Sequence, residues 1–150
     1  MKTIMAFGTF DILHPGHINF LRQAKSFGNL ITVIARDRTV YRVKGQLPRH
    51  NESERQRAVK FSGIADKVIL GSLTDKYAAI KKYRPDVIAL GYDQKFFVAE
   101  LESELKKLNL NTKIIRLKSF QPKKYKSSIL KNEKQYPEKE IRTVYRLQAN

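Results

Sequence analysis

With 150 residues, 41% of them apolar, the chain is the size of one compact domain that can bury a core without disulfides or a structural metal. Thirty Lys and Arg against fourteen Asp and Glu leave a formal charge of +16, and no apolar run approaches the roughly 18 to 20 residues of a membrane span. The absence of cysteine excludes disulfides, thiolate nucleophiles and thiolate zinc sites together, so any chemistry falls to His, Lys, Arg, Asp, Ser and Thr. The first residues read as a strand, with no basic segment leading into an apolar one, so no secretory signal is visible and a cytoplasmic location is expected. The basic excess is uneven: residues 113–150 hold eleven Lys and Arg against three acidic residues, a balance of +8 equal to that of the first 112 residues. No zinc-finger spacing, RNP-like aromatic signature or basic heptad helix accompanies it, so nucleic acid is an unlikely partner and a solvated surface that steers anionic ligands is the plainer reading.

Short apolar runs alternate with longer helical patterns, the signature of βαβ units and a parallel sheet covered on both faces. Residues 3–7 read as the first strand. Residues 16–27 place Ile18, Phe20, Leu21, Ala24 and Phe27 near helical spacing, and Gly28-Asn29 ends that helix before a second strand at 30–35. Residues 36–52 are polar, contain Gly45 and Pro48, and show no sustained period, which predicts a long loop of the kind that carries function. A helix over 53–64, a strand at 68–70, a helix over 75–83 that must stop before Arg84-Pro85, and a strand at 87–90 follow. A helix over 97–108 with Leu101, Leu105 and Leu108 on one face leads to a fifth strand at 113–117. The remainder is Lys-rich, and residues 132–150 form a basic extension to a domain over 1–131.

The segment that carries most information is GTFDILHPGH, Gly8 to His17, directly after the first strand and opening a helix. Gly8 permits a tight turn at the carboxyl end of a parallel strand, where open α/β sheets take their ligands, and the free N–H groups of the helix start suit phosphate. His14 and His17 stand three apart with Pro15 and Gly16 between them, so both imidazoles reach the same helix start and can donate to phosphate oxygens. Capping or packing explains many single histidines; two so close together, framed by glycines, favour a ligand.

This constellation is the HxGH signature of the nucleotidyltransferases, and the sequence resembles the cytidylyltransferase-like group, whose pattern is GTFDxxHxGH. The resemblance spans about residues 1–131. It implies an α/β fold: a Rossmann-like, doubly wound, five-stranded parallel sheet with helices on both faces. It also implies transfer of a nucleotidyl group from a nucleoside triphosphate to a phosphate-bearing acceptor, with release of pyrophosphate. Gly8, Thr9 and Phe10 fall on the family's phosphate-binding turn, and His14 and His17 on its catalytic histidine pair. Lys44, in RVKG, and Arg55, in ESERQR, match catalytic residues that hold the triphosphate, although each taken singly reads as a solvated surface charge. Gly91 and Asp93, in GYDQ, match a turn beside the nucleotide, where simpler roles would be ending the strand and capping the next helix. Ser127 and Ser128 match a hydroxyl pair at a helix start that suits phosphate, with a plain N-cap as the simpler role.

The resemblance implies a divalent cation, with magnesium expected, and Asp11 either holding it or orienting the acceptor. It also implies a homodimer. Within the group, ARDRTV at 35–40, KVILGS at 67–72 and VIALGYDQ at 87–94 look most like the archaeal-type FAD synthases, which move AMP from ATP to FMN. The alternative acceptors are glycerol 3-phosphate, with CTP as donor, or another small phosphorylated alcohol or sugar; a chain that only binds nucleotide or RNA is the remaining alternative. Glycerol-phosphate cytidylyltransferases carry an RTEGIS-type segment where this chain has KKYKSSIL. Archaeal-type FAD synthases commonly carry a Cys pair where this chain has PKKY at 122–125.

Overall fold

The structure, a computed structural model, describes residues 1–92, 94 and 98–119. Five strands form one sheet in the order β3-β2-β1-β4-β5, with β1 at Thr3–Gly8, β2 at Asn29–Ile34, β3 at Lys67–Leu70, β4 at Val87–Leu90 and β5 at Lys113–Arg116. Every pairing is parallel; β1 lies between β2, where Thr3 faces Asn29 and Gly8 faces Ile34, and β4, where Ile4 faces Val87.

Alternation along β1 divides the core. Ile4 and Ala6 point to one side, where α1 (Pro15–Lys25) supplies Leu21 and Ala24 and α3 (Glu52–Ser62) supplies Ala58 and Val59. Met5 and Phe7 point to the other, against Ile80 of α4 (Ala78–Tyr83) and Leu101 and Leu105 of α5 (Val98–Lys107). Strands buried on both faces explain why their sequences read as continuous apolar runs rather than alternating ones. The doubly wound parallel sheet expected from the sequence is therefore the observed fold.

The main departure is α2, Asp37–Lys44, in the stretch expected to be a loop. Val40 is its one buried residue, so no repeating apolar face announces it. Its signals are at the ends: Asp37 in the first turn, Arg42 and Lys44 in the last, and Gly45 as a left-handed cap at φ 75°. The other departure is α4, which starts at Ala78 rather than near 75 because the Ser72 hydroxyl accepts the N–H groups of Thr74 and Asp75 and holds a turn there.

Direction of winding locates the site. From β1 the chain crosses through α1 to β2 on one side, whereas from β4 it crosses through α5 to β5 on the other, with the two helices on opposite faces. The carboxyl ends of β1 and β4 therefore part at a topological switch point, the place where such sheets open a ligand crevice. Residues 8–17 follow β1 there, and the turn after Leu90 faces them.

Candidate active site

The loop after β1 is held in an unusual backbone shape. Phe10 and Ile12 both adopt φ 53°, a left-handed conformation that costs a residue with a Cβ about 1 to 2 kcal/mol. Burial holds both in place, with Phe10 at 3% and Ile12 at 1% exposure. The Phe10 ring packs edge-on to His17, 5.4 Å between centroids, and also covers Gly8, where an added Cβ would come within 2.6 Å of the ring. Glycine at position 8 is thus required by Phe10, its partner two residues on. The Phe10 side chain is thus a wall of the site, packed against a histidine.

His14 caps α1. Its Nδ1 accepts the backbone N–H groups of Gly16 at 3.0 Å and His17 at 3.4 Å, so the capping role set aside in favour of a ligand is present. It does not exclude the ligand role. With Nδ1 occupied as acceptor, the neutral ring carries its proton on Nε2, an atom that is itself buried. The His17 ring stacks on it, 3.8 Å between centroids and 23° between planes. Burial pushes His14 down to about 4. It pushes His17 down as well, helped by His14 and by the charge of Lys44, while the Ile12 backbone pulls the other way. Both rings are neutral near pH 7, and the His17 Nδ1 is buried.

Lys44, at the exposed end of α2, adds its positive field to His17. Arg55 takes a different place from the one expected of a phosphate ligand. It is fully buried, and its guanidinium donates to Thr9 O at 2.7 Å, His50 O at 3.0 Å and Asp37 Oδ1 at 2.7 Å. It is neither a solvated charge nor exposed to a ligand: it ties the loop after β1 to the start of α2. Thr9, expected in the phosphate-binding turn, contributes the carbonyl that Arg55 holds.

Asp11 also departs from expectation. Its two oxygens accept the N–H groups of Arg49 at 2.8 Å and His50 at 3.0 Å, and it is 3% exposed. A carboxylate committed to two backbone donors is a poor metal ligand, and no cluster of three or more His, Asp or Glu able to hold a metal occurs among the described residues. The described side chains do not form a cation cradle. Around this anchor, Glu52 Oε1 accepts Asp37 N, Asp37 Oδ2 accepts Glu52 N, and Arg36 joins Glu52 to Gly71 O.

On the opposite side of the crevice, Gly91 lies in a turn in which Gln94 N donates to Gly91 O at 3.2 Å. Asp93, Ser127 and Ser128, expected beside the nucleotide, lie outside the described residues, as does the basic extension.

The sequence profile described as cytidylyltransferase-like matches residues 5–133. The chain belongs to this family. Among cytidylyltransferase-like relatives, the FAD synthase of Aciduliprofundum boonei is 46% identical over 121 residues, 80% of this chain and 80% of that one. The FAD synthase of Archaeoglobus profundus is 45% identical over 130 residues, 85% of this chain and 82% of its own. A solved structure described as a lipopolysaccharide core biosynthesis protein, from Thermoplasma volcanium, is 41% identical with a TM-score of 0.74, covering 80% of this chain and 98% of that one. Pantoate-beta-alanine ligase from Francisella tularensis, 19% identical with a TM-score of 0.58 over 99% of this chain and 71% of its own, shares the fold.

In this cytidylyltransferase-like chain the structure stacks His14 on His17 and places Lys44 where its charge reaches His17, and the sequence reading missed the groups that support the loops around them. Asp37, Glu52, Gln94 and Arg116 carry no catalytic signature. The capping pattern of a helix-opening Asp37 and a helix-opening Glu52 was the only signal available for the first two. Gln94 was marked only by falling within GYDQ, and Arg116 not at all, because their partners are backbone carbonyls and amides that every residue possesses.

Proposed function

We propose that the chain is a nucleotidyltransferase that moves AMP from ATP to FMN, giving FAD and pyrophosphate. The observation that carries the transfer chemistry is the stacked His14–His17 pair at the switch crevice, neutral yet able to donate, at the start of α1. The FAD synthase names of relatives 45–46% identical over four-fifths or more of the chain support FMN as acceptor.

In this reading an oxygen of the FMN phosphate attacks the α-phosphorus of ATP in line. The new P–O bond forms as the bond from the α-phosphorus to the bridging oxygen breaks, and the electron pair leaves with pyrophosphate. The protein supplies position and charge rather than covalent chemistry. His14 donates through Nε2 to a phosphate oxygen, and its cap fixes the tautomer before substrate arrives. His17 stacks against it at the first turn of α1, where the helix dipole favours an anion. Lys44 compensates the pyrophosphate charge. Gly8 makes room for the Phe10 ring, and Arg55 and Asp11 hold the loop's shape. Asp93 at the nucleoside and Ser127 and Ser128 at the phosphates complete the proposal.

A divalent cation belongs to the proposal as an ion carried in by the triphosphate oxygens, the usual manner of magnesium. Residues 1–131 are proposed as the catalytic domain and 132–150 as its basic extension, in a cytoplasmic homodimer whose state light scattering would report. The deciding assay is pyrophosphate release with ATP or CTP against FMN or glycerol 3-phosphate. Turnover confined to ATP with FMN is expected; turnover confined to CTP with glycerol 3-phosphate would overturn the acceptor while keeping the chemistry.

A further inference from the structure

The ladder between β1 and β4 pairs Ile4 with Val87, Met5 with Ile88 and Ala6 with Ala89, and goes no further. Beyond it Phe7 O and Gly91 N face the opening crevice. The Gln94 carboxamide joins them: its Nε2 donates to Phe7 O at 3.1 Å and its Oε1 accepts Gly91 N at 3.2 Å. One side chain thus serves as an extra rung across the switch point, where the strands have begun to part.

A second clamp holds the same turn from behind. The Arg116 Nη1, at the end of β5, donates to Gly91 O at 2.8 Å, Gln94 O at 3.0 Å and Tyr92 O at 3.4 Å. An exposed arginine ordinarily spends its donors on water. Here the carbonyls of Gly91, Tyr92 and Gln94 gather on a single nitrogen, so their relative placement follows the guanidinium. The backbone bond from Leu117 N to Leu90 O, at 2.8 Å, fixes β5 beside β4 and so fixes the root of Arg116.

We propose that Gln94 and Arg116 are positioning residues that set the width of the crevice at its nucleoside end. This rests on the nucleotidyltransferase reading. A ligand with its phosphates at His14 and His17 extends its nucleoside toward the 91–94 turn. The distance between those two walls is set by the Gln94 rung and the Arg116 clamp. The consequence is selective: loosening the turn weakens whatever fills the nucleoside end and leaves a ligand confined to the histidines untouched.

Calorimetry on the full chain with ATP and with inorganic pyrophosphate separates the two ends. Gln94→Met, which keeps length and removes both hydrogen bonds, is expected to weaken ATP by about five-fold, the effect of roughly one hydrogen bond. Pyrophosphate affinity is expected to stay within about two-fold. Arg116→Met changes an exposed residue and tests the clamp even if the Gln94 variant fails to fold. Arg116→Lys, which retains a donor over the carbonyls, is expected to restore ATP affinity to within about two-fold of the wild type. Unchanged ATP affinity in Gln94→Met and Arg116→Met, or parallel loss of both ligands, would overturn the proposal. A wild-type chain that binds pyrophosphate but neither ATP nor CTP would overturn the nucleotidyltransferase reading itself, and this inference with it.

Discussion

Acid should destabilise this protein through His14, and His14→Asn should remove much of that sensitivity. The imidazole is held neutral by burial, with its pKa lowered from 6.5 to about 4. Because the folded value lies below the unfolded one, protons favour the unfolded chain. The stabilising contribution is complete above the unfolded value and is lost as pH falls toward the folded one. At about 1.4 kcal/mol per unit the full effect is about 3 kcal/mol, of which about 2 kcal/mol is lost between about pH 7 and about pH 5. Asparagine is among the best N-caps, so the variant keeps α1 started and loses the titrating group. It also removes one of the causes that hold His17 down, which shrinks the variant's remaining acid loss further. Urea unfolding of both proteins at the two pH values measures the difference directly. The wild type should lose about 2 kcal/mol more than the variant; equal losses would refute the account of a buried, neutral His14.

Arg55→Met should cost about 3 kcal/mol of stability, because it strands Asp37 and the carbonyls of Thr9 and His50. Arg55→Lys should recover only part of it in urea unfolding, and a variant of normal stability with a raised KM for ATP would restore Arg55 to the phosphate-binding role. Asp11→Asn should lower stability by about 1 to 2 kcal/mol, since one acceptor for the N–H groups of Arg49 and His50 is weakened. Its dependence of turnover on magnesium concentration should match the wild type, and a shifted magnesium optimum would make Asp11 a metal ligand. Thr32, fully buried in β2 with its hydroxyl unpartnered among the described residues, predicts a gain of about 1 kcal/mol for Thr32→Val. A melting temperature that falls would contradict it.

What could be read from the sequence follows the range of the interactions involved. The strands were legible because residues such as Ile31, Val33 and Ile34 sit between two covered faces and must all be apolar. The histidine pair was legible because its geometry is local: three residues and one helix start place both rings. Helix α2 was not, since it buries one residue and is held by its ends. The backbone partners of Arg55 and Asp11 were hidden for the same reason: they lie far along the chain, Thr9 from Arg55 and Arg49 and His50 from Asp11. The sequence marks a buried charge only by its type, and type alone does not separate a group that binds a ligand from one that binds backbone.

The mutual bonds of Asp37 and Glu52 bear on how this region opens. Each residue begins a helix, and each carboxylate accepts the first N–H of the other's helix. Neither α2 nor α3 can fray at its start without exposing a donor in the other, so the two helix beginnings form one cooperative unit in local unfolding. Amide exchange at Asp37 and Glu52 should therefore proceed at a shared opening free energy.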